Sequence, residues 1–389
     1  MRIGFVTHEY PPEIIGGAGT YAHRLVTNLG ALGYQVVVFT PLSNKKPDHL
    51  ARSNGVKIVP LTIPGAPLSM AFFWLKLRRA IKSEEKNGAF DVIHINSPTL
   101  WFPFSRKISK APQVLTIHHI YGDSAKWPIP GKGSKHLSLG DENGRFARFL
   151  EGRCVRLSDH IIAVSEYTRG RLEERYGPMR KTIHVIHEAP EPIERRLTTP
   201  SIDWRQRLSL GSKAIILFVG RINDPRKGLD ILLDALARVD RNDYVLLIAG
   251  SGDPTPVTVK AGQLGIEDKI RLLGFVDSNA LLELYDLCAF SVFPSQMEGF
   301  GLPVLDAAAA GKRVIATRVG AIPEIGGPGA ILVEPNDPIA LAEAIGRALD
   351  APGPPSDLLR SHASKFNWSD VAQLTVAVYE RALGKAHKV

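Results

Sequence analysis

Cysteine is nearly absent from this chain of 389 residues, which holds only Cys154 and Cys288. Two thiols so far apart make neither a metal-ligand spacing nor a disulfide framework, which excludes a cysteine-built zinc site and favours a reducing compartment. Long apolar runs are missing as well, and none reaches the ~18 residues of a membrane span. The chain passes from Met1-Arg2 through Ile3-Gly4-Phe5-Val6 to His8-Glu9. That is too short and too soon polar for a signal peptide, so the expected location is cytoplasmic. There is no helix-turn-helix signature, no zinc finger and no basic run interleaved with aromatics, so no nucleic-acid partner is expected. What remains is the composition of an ordinary globular protein, 44% hydrophobic and 22% charged, long enough for two domains.

The net charge of +9 is uneven: residues 1–200 carry +11 and residues 201–389 carry −2. Such a basic half attracts anionic lipid, nucleic acid or an anionic small substrate, or simply keeps the surface solvated. The first fifty residues set a pattern: an apolar run at 3–7, a Gly-rich loop, a helical period through Tyr21, Leu25, Leu29 and Leu32, then Val36-Val37-Val38-Phe39. Further buried strands are predicted at 56–59, 91–95, 113–117 and 160–164, spaced widely enough for crossover helices. Residues 120–143 show no period and read as a long loop. Prolines and charges crowd 188–202, which places a domain boundary there. Beyond it, strands at 214–219, 244–249, 269–273, 288–292, 313–316 and 330–333 alternate with helical patterns at 228–238, 256–264, 278–286, 301–310 and 337–349. The expected fold class is α/β, with two Rossmann-like parallel-sheet domains facing an interdomain cleft.

Three segments carry chemistry. Gly16-Gly17-Ala18-Gly19 follows strand one and opens a helix, where backbone N–H groups can approach a phosphate; a packing turn is the plainer reading. The loop does not match the dinucleotide fingerprint: it is too long, Pro11-Pro12 sits inside it, and no acid follows strand two, which disfavours a nicotinamide cofactor. Gly220-Arg221 ends a strand and Arg226-Lys227-Gly228 opens the next helix, so a planar guanidinium and a compact ammonium share one sheet edge. The pair suits a diphosphate, while surface charge at a helix end would explain Lys227 alone. The densest segment is Glu298-Gly299-Phe300-Gly301-Leu302-Pro303-Val304-Leu305-Asp306. Its two acids, across a Gly-rich strand-to-helix turn, can accept hydrogen bonds from sugar or ribose hydroxyls, and its backbone N–H groups can serve hydroxyls or phosphate.

In this order the three segments resemble the retaining glycosyltransferases of family 4, with the GT-B fold, over nearly the whole chain. Leu272-Leu273-Gly274-Phe275-Val276, Gly320-Ala321-Ile322-Pro323-Glu324 and Phe366-Asn367-Trp368 add to the likeness. The resemblance implies an N-terminal acceptor domain over 1–190, a donor domain over 191–368, and a final helix at 369–389 packing back on the first. It further implies that Arg221 and Lys227 hold the donor diphosphate, that Gly16 and Gly17 approach it, and that Asp306 takes the ribose hydroxyls. Glu298 and the backbone of Phe300, Gly301 and Leu302 would bind the donor sugar, His118 would lie near the reacting sugar, and Phe275 and Val276 would flank the base. Departures from the family pattern are Asp306 for the usual Glu, His119 where many members have Asp, His187-Glu188-Ala189 for a common Asn-Gly, and Gly320-Ala321 for Gly-Gly.

The activity so implied is metal-independent retaining transfer of a hexosyl group from a nucleoside-diphosphate sugar, a UDP- or GDP-sugar, to an acceptor hydroxyl. The departing diphosphate would be stabilised by Arg221, Lys227 and helix N-termini, with no other cofactor. Two acids separated by one residue, the usual start of a metal-held nucleotide-sugar site, occur nowhere, and no metal ligands are expected. The acceptor, a glycan, a lipid-linked sugar or a small molecule, is not specified. Residues 68–86 read as a basic amphipathic helix, which leaves open peripheral membrane contact or an ordinary core element. The rival readings are a nucleotide-sugar epimerase of the same fold and a non-catalytic nucleotide-binding scaffold.

Overall fold

The computed structural model describes residues 1–11, 16–41, 55–62, 69–97, 107–120, 145–177, 182–191 and 202–384. Most of the loop at 120–143, residues 192–201 of the boundary segment and residues 385–389 lie outside them. Among the described residues the chain forms two compact units, one holding those up to Glu188 and from Asn367 onward, the other Ala189–Phe366.

The first unit is built on seven parallel strands: β1 (Arg2–Val6), β2 (Gln35–Pro41), β3 (Val56–Leu61), β4 (Val92–Ile95), β5 (Gln113–Ile117), β6 (His160–Ala163) and β7 (Ile183–Val185), in the order β3-β2-β1-β4-β5-β6-β7. The helices beside them are α1 (Gly17–Ala31), α2 (Ser69–Glu85), α3 (Arg145–Leu157), α4 (Glu166–Tyr176) and the C-terminal α13 (Trp368–Ala382). Strands such as Gln113-Val114-Leu115-Thr116-Ile117 are buried along their whole length, as a parallel sheet covered on both faces requires. In α1 the helical period turns Tyr21, Leu25, Val26 and Leu29 into the core, and Gly33, at φ +84°, lets the chain leave the helix. α2 buries Phe73, Leu77 and Ile81 four residues apart, while Phe72 and Leu75 are exposed beside Lys76 and Arg79.

The second unit has six parallel strands: β8 (Ala214–Val219), β9 (Tyr244–Ala249), β10 (Ile270–Gly274), β11 (Phe290–Phe293), β12 (Arg313–Thr317) and β13 (Ala330–Val333), in the order β10-β9-β8-β11-β12-β13. Its helices are α5 (Trp204–Arg207), α6 (Leu229–Leu236), α7 (Thr255–Leu264), α8 (Ser278–Leu287), α9 (Leu302–Ala309), α10 (Ile322–Ile325), α11 (Pro338–Asp350) and α12 (Ser356–Ala363). Side-chain caps start several of them; Asp277 accepts from the N–H groups of Asn279 and Ala280, and Asp337 from those of Ile339 and Ala340. The core packs Leu232, Leu233 and Leu236 of α6 against Phe218, Leu246, Ile248 and Val292 of the sheet. In each sheet the order of winding reverses once, between β1 and β4 and between β8 and β11. Loops diverge from the carboxyl ends of the strands at such a point and leave a crevice for a ligand.

Candidate active site

In the second unit the turn after β8 gathers three cations around one acid. Asp224 is 1% exposed and receives Arg221 Nη2 at 2.8 Å, Arg226 Nη2 at 2.6 Å and Arg226 Nε at 2.8 Å. Burial alone would raise its carboxyl, but hydrogen bonds and charge from Arg226, then the charges of Arg221 and Lys227, carry it below the ordinary range. Asp224 also accepts from the N–H of Arg226, which starts a short 3-10 turn over Pro225–Lys227. Gly228 then takes φ +64°, and a Cβ there would lie 2.0 Å from the carbonyl oxygen of Pro294, so only glycine lets this turn touch the loop after β11. The N–H of Gln296 donates to the carbonyl of Arg226 at 2.7 Å and fastens the two loops.

Across that seam Lys227 Nζ lies 2.6 Å from Glu298 Oε1, which also accepts from Ser295 Oγ at 2.8 Å. The pair bridges residues 71 positions apart at the β8/β11 crevice. A third loop closes on it: Thr317 Oγ1 donates to the carbonyl of Ser295, and Gly320, at φ +56°, would put a Cβ 1.8 Å from the carbonyl oxygen of Glu298. Ala321 has φ −82°, so the alanine standing for the family's second glycine meets no strain. Gly301, at φ +101°, precedes α9, and Phe300 is buried behind the turn. Asp306 lies one turn further along α9, where its Oδ1 accepts the N–H of Glu191 at 2.9 Å. Val276 follows β10, one strand beyond β9, next to Phe275, which is 78% exposed.

The other residues singled out in the sequence belong to the first unit. Gly16 caps α1, and its N–H donates to Glu9 Oε2 at 2.8 Å, so a carboxylate meets the positive end of the helix where Gly17 begins it. Asn96, just beyond β4, gives Nδ2 to the carbonyl of Ala18 at 2.9 Å and to Thr7 Oγ1 at 3.2 Å. Its Oδ1 lies 2.9 Å from His118 Nε2, and His118 Nδ1 lies 2.8 Å from Glu188 Oε1. One hydrogen-bonded row thus runs along the carboxyl edge of the sheet from β1 to the segment after β7. The Tyr21 ring stands edge-on to His118 at 4.8 Å, and burial and then the charge of Glu188 push its phenol up.

Two family models match: a Glycosyltransferase Family 4 domain over residues 15–189 and a Glycosyl transferases group 1 domain over residues 213–351. A D-inositol 3-phosphate glycosyltransferase of Catenulispora acidiphila is 32% identical, with 95% of this chain and 90% of that protein covered. The chain belongs to glycosyltransferase family 4. This family 4 glycosyltransferase is also 27% identical to a phosphatidyl-myo-inositol mannosyltransferase of Mycobacterium leprae, covering 100% of this chain and 99% of that one. Among solved structures, a sucrose-phosphate synthase of Thermosynechococcus elongatus aligns at a TM-score of 0.80 with 22% identity, covering 99% and 100% of the two chains. HepE of Anabaena in complex with UDP and glucose aligns at 0.75 with 21% identity, covering 98% and 100%. These structures confirm the GT-B fold class of this glycosyltransferase.

Asp224, Ser295, Asn96 and the partnership of Glu188 with His118 were not assigned from sequence. Asp224 had a readable signal, an acid enclosed by Arg221, Arg226 and Lys227 within seven positions. Asn96 had none beyond its place at the end of a buried strand.

Proposed function

We propose that this glycosyltransferase moves a hexosyl group from a nucleoside-diphosphate sugar to an acceptor hydroxyl with retention of configuration, using fixed protein cations at the leaving group. The observation that carries the reading is the Arg221-Asp224-Arg226-Lys227 turn facing Glu298 at the β8/β11 crevice. Asp224 holds the Arg221 and Arg226 guanidinium groups in fixed orientations, so little reorganisation is needed as negative charge grows on the departing diphosphate. Lys227 brings its charge to the same edge, and Glu298 balances it until a phosphate does. A sugar hydroxyl can then donate to the carboxylate of Glu298, beside the turn Phe300–Leu302, and the carboxylate of Asp306 can accept from the ribose.

UDP and GDP are the favoured nucleotides, and UDP-glucose is the first donor to try because HepE carries UDP and glucose on this fold. Relatives named for inositol phosphate and phosphatidyl-myo-inositol match over nearly the full chain, so overall likeness leaves the acceptor open. A lipid-borne acceptor fits the outer face of α2, where exposed Phe72 and Leu75 lie beside Lys76 and Arg79. The test is to incubate the protein with UDP-glucose or GDP-mannose and mixed acceptors, with and without EDTA, and to read the product's anomeric proton by NMR. Retained configuration in the presence of EDTA supports the reading. An inverted product, or turnover lost with EDTA, overturns that part of it, and a new free sugar formed without acceptor indicates the epimerase.

A further inference from the structure

His118 is held by both ring nitrogens. Its Nε2 faces Asn96 Oδ1 at 2.9 Å and its Nδ1 faces Glu188 Oε1 at 2.8 Å. The orientation of the Asn96 amide is fixed by a third party: Nδ2 lies 2.9 Å from the carbonyl of Ala18, which can only accept. Turning the amide would set its oxygen against that carbonyl, so the atom facing His118 is an acceptor and Nε2 must carry a proton. Glu188 is 3% exposed, and its carboxylate asks for a proton on Nδ1 as well. A ring flanked by two acceptors is a double donor.

We infer that Glu188 is a positioning residue that, with Asn96, anchors His118 as an imidazolium at the edge of the first unit's sheet. The inference rests on the glycosyltransferase reading of the site and deepens it. With both N–H groups engaged by the protein, His118 is an oriented positive charge with no free ring nitrogen to act as a base. The groups around the ring fit this assignment. Glu188, from the segment after β7, faces it with a carboxylate; Tyr21, from α1, offers a ring edge and a phenol that burial keeps protonated. Behind it His94, in β4, is pushed down to about 3 by burial and then by His118, so it stays neutral and adds no second charge. Glu188 belongs to the His187-Glu188-Ala189 segment, which stands where the resembled family commonly has Asn-Gly.

The direct test is 15N NMR of the histidine rings at pH 7.5 in the free protein, with His118 assigned by the loss of its signals in His118→Asn. Both ring nitrogens are expected at protonated shifts in the wild type, and Glu188→Gln, which keeps the shape and removes the charge, is expected to leave one neutral tautomer. In turnover assays Glu188→Gln is expected to lower kcat by about 10- to 100-fold, the scale of losing orientation at a reacting centre, with KM for the sugar nucleotide within about threefold. UDP affinity and melting temperature serve as controls for folding. A neutral wild-type ring, or wild-type kcat in Glu188→Gln, overturns the inference. Should the wild type turn over no sugar nucleotide, the glycosyltransferase reading fails, and the ring spectrum still decides the protonation claim.

Discussion

Acidification should destabilise the first unit through His94 by an amount that can be worked out in advance. His94 is fully buried in β4, with Nδ1 2.5 Å from the Tyr379 hydroxyl of α13 and Nε2 2.8 Å from Thr116 Oγ1 of β5. Burial first, and the nearby His118 second, push its imidazole from 6.5 down to about 3. The folded protein therefore holds it neutral, while the unfolded chain takes up a proton as pH falls through about 6.5. The stabilisation is fully present above the unfolded value and fades downward until the folded group itself titrates near 3. At about 1.4 kcal/mol per pH unit, moving from pH 7 to pH 5 removes about 2 kcal/mol. His184 and His160 are also lowered, first by burial, and act in the same direction, so the informative quantity is a difference between proteins. His94→Gln keeps one hydrogen bond and cannot titrate; it should be less stable than wild type at pH 7 by about 1 to 3 kcal/mol and should lose less on going to pH 5. Urea unfolding at pH 7, 6 and 5, read by hydrogen exchange in β4 and α13, gives both slopes. Parallel slopes for wild type and His94→Gln would refute the assignment.

Three further outcomes are expected. Gly320→Ala forces a left-handed φ on a side chain and drives its Cβ into the carbonyl of Glu298, so it should cost about 1 to 3 kcal/mol in thermal or chemical melts and displace the Glu298 loop, lowering turnover. Lys227→Ala removes the partner of Glu298 and a charge at the crevice; kcat/KM for a sugar nucleotide should fall about 10²- to 10³-fold in a coupled assay. Replacing Phe72 and Leu75 by Ser, which leaves the buried Phe73, Leu77 and Ile81 stripe untouched, should abolish flotation with vesicles containing anionic lipid while leaving the melting temperature within a few degrees. Flotation of neither protein would end the membrane reading.

The α/β architecture was legible because parallel strands buried on both faces leave uninterrupted apolar runs, as in Ile215–Phe218 and Val245–Ile248. Short elements at the margins left no such mark. β7 is three half-buried residues at a sheet edge, α5 is a single turn, and α12 follows the proline-rich stretch 352–355. At the candidate site the residue types and their spacing after strands could be read, since glycines and charges at strand ends stand out against the apolar background. Their partnerships could not: Lys227 with Glu298 and His118 with Glu188 join loops far apart in sequence, and only the sheet order brings those loops together. Gly228 and Gly320 show the same limit, because the reason for each is a carbonyl from another loop.

On the proposed reading, the Arg221-Asp224-Arg226-Lys227 turn is a nucleotide-sugar site that works without a metal. Thermal stabilisation by UDP, GDP and ADP, each with and without EDTA, tests it in the wild type and in a variant combining Arg221→Ala with Lys227→Ala. A rise in melting temperature for one nucleotide, unchanged by EDTA and lost in the variant, is the expected result. A rise that EDTA removes, or one that the variant retains, would contradict the account.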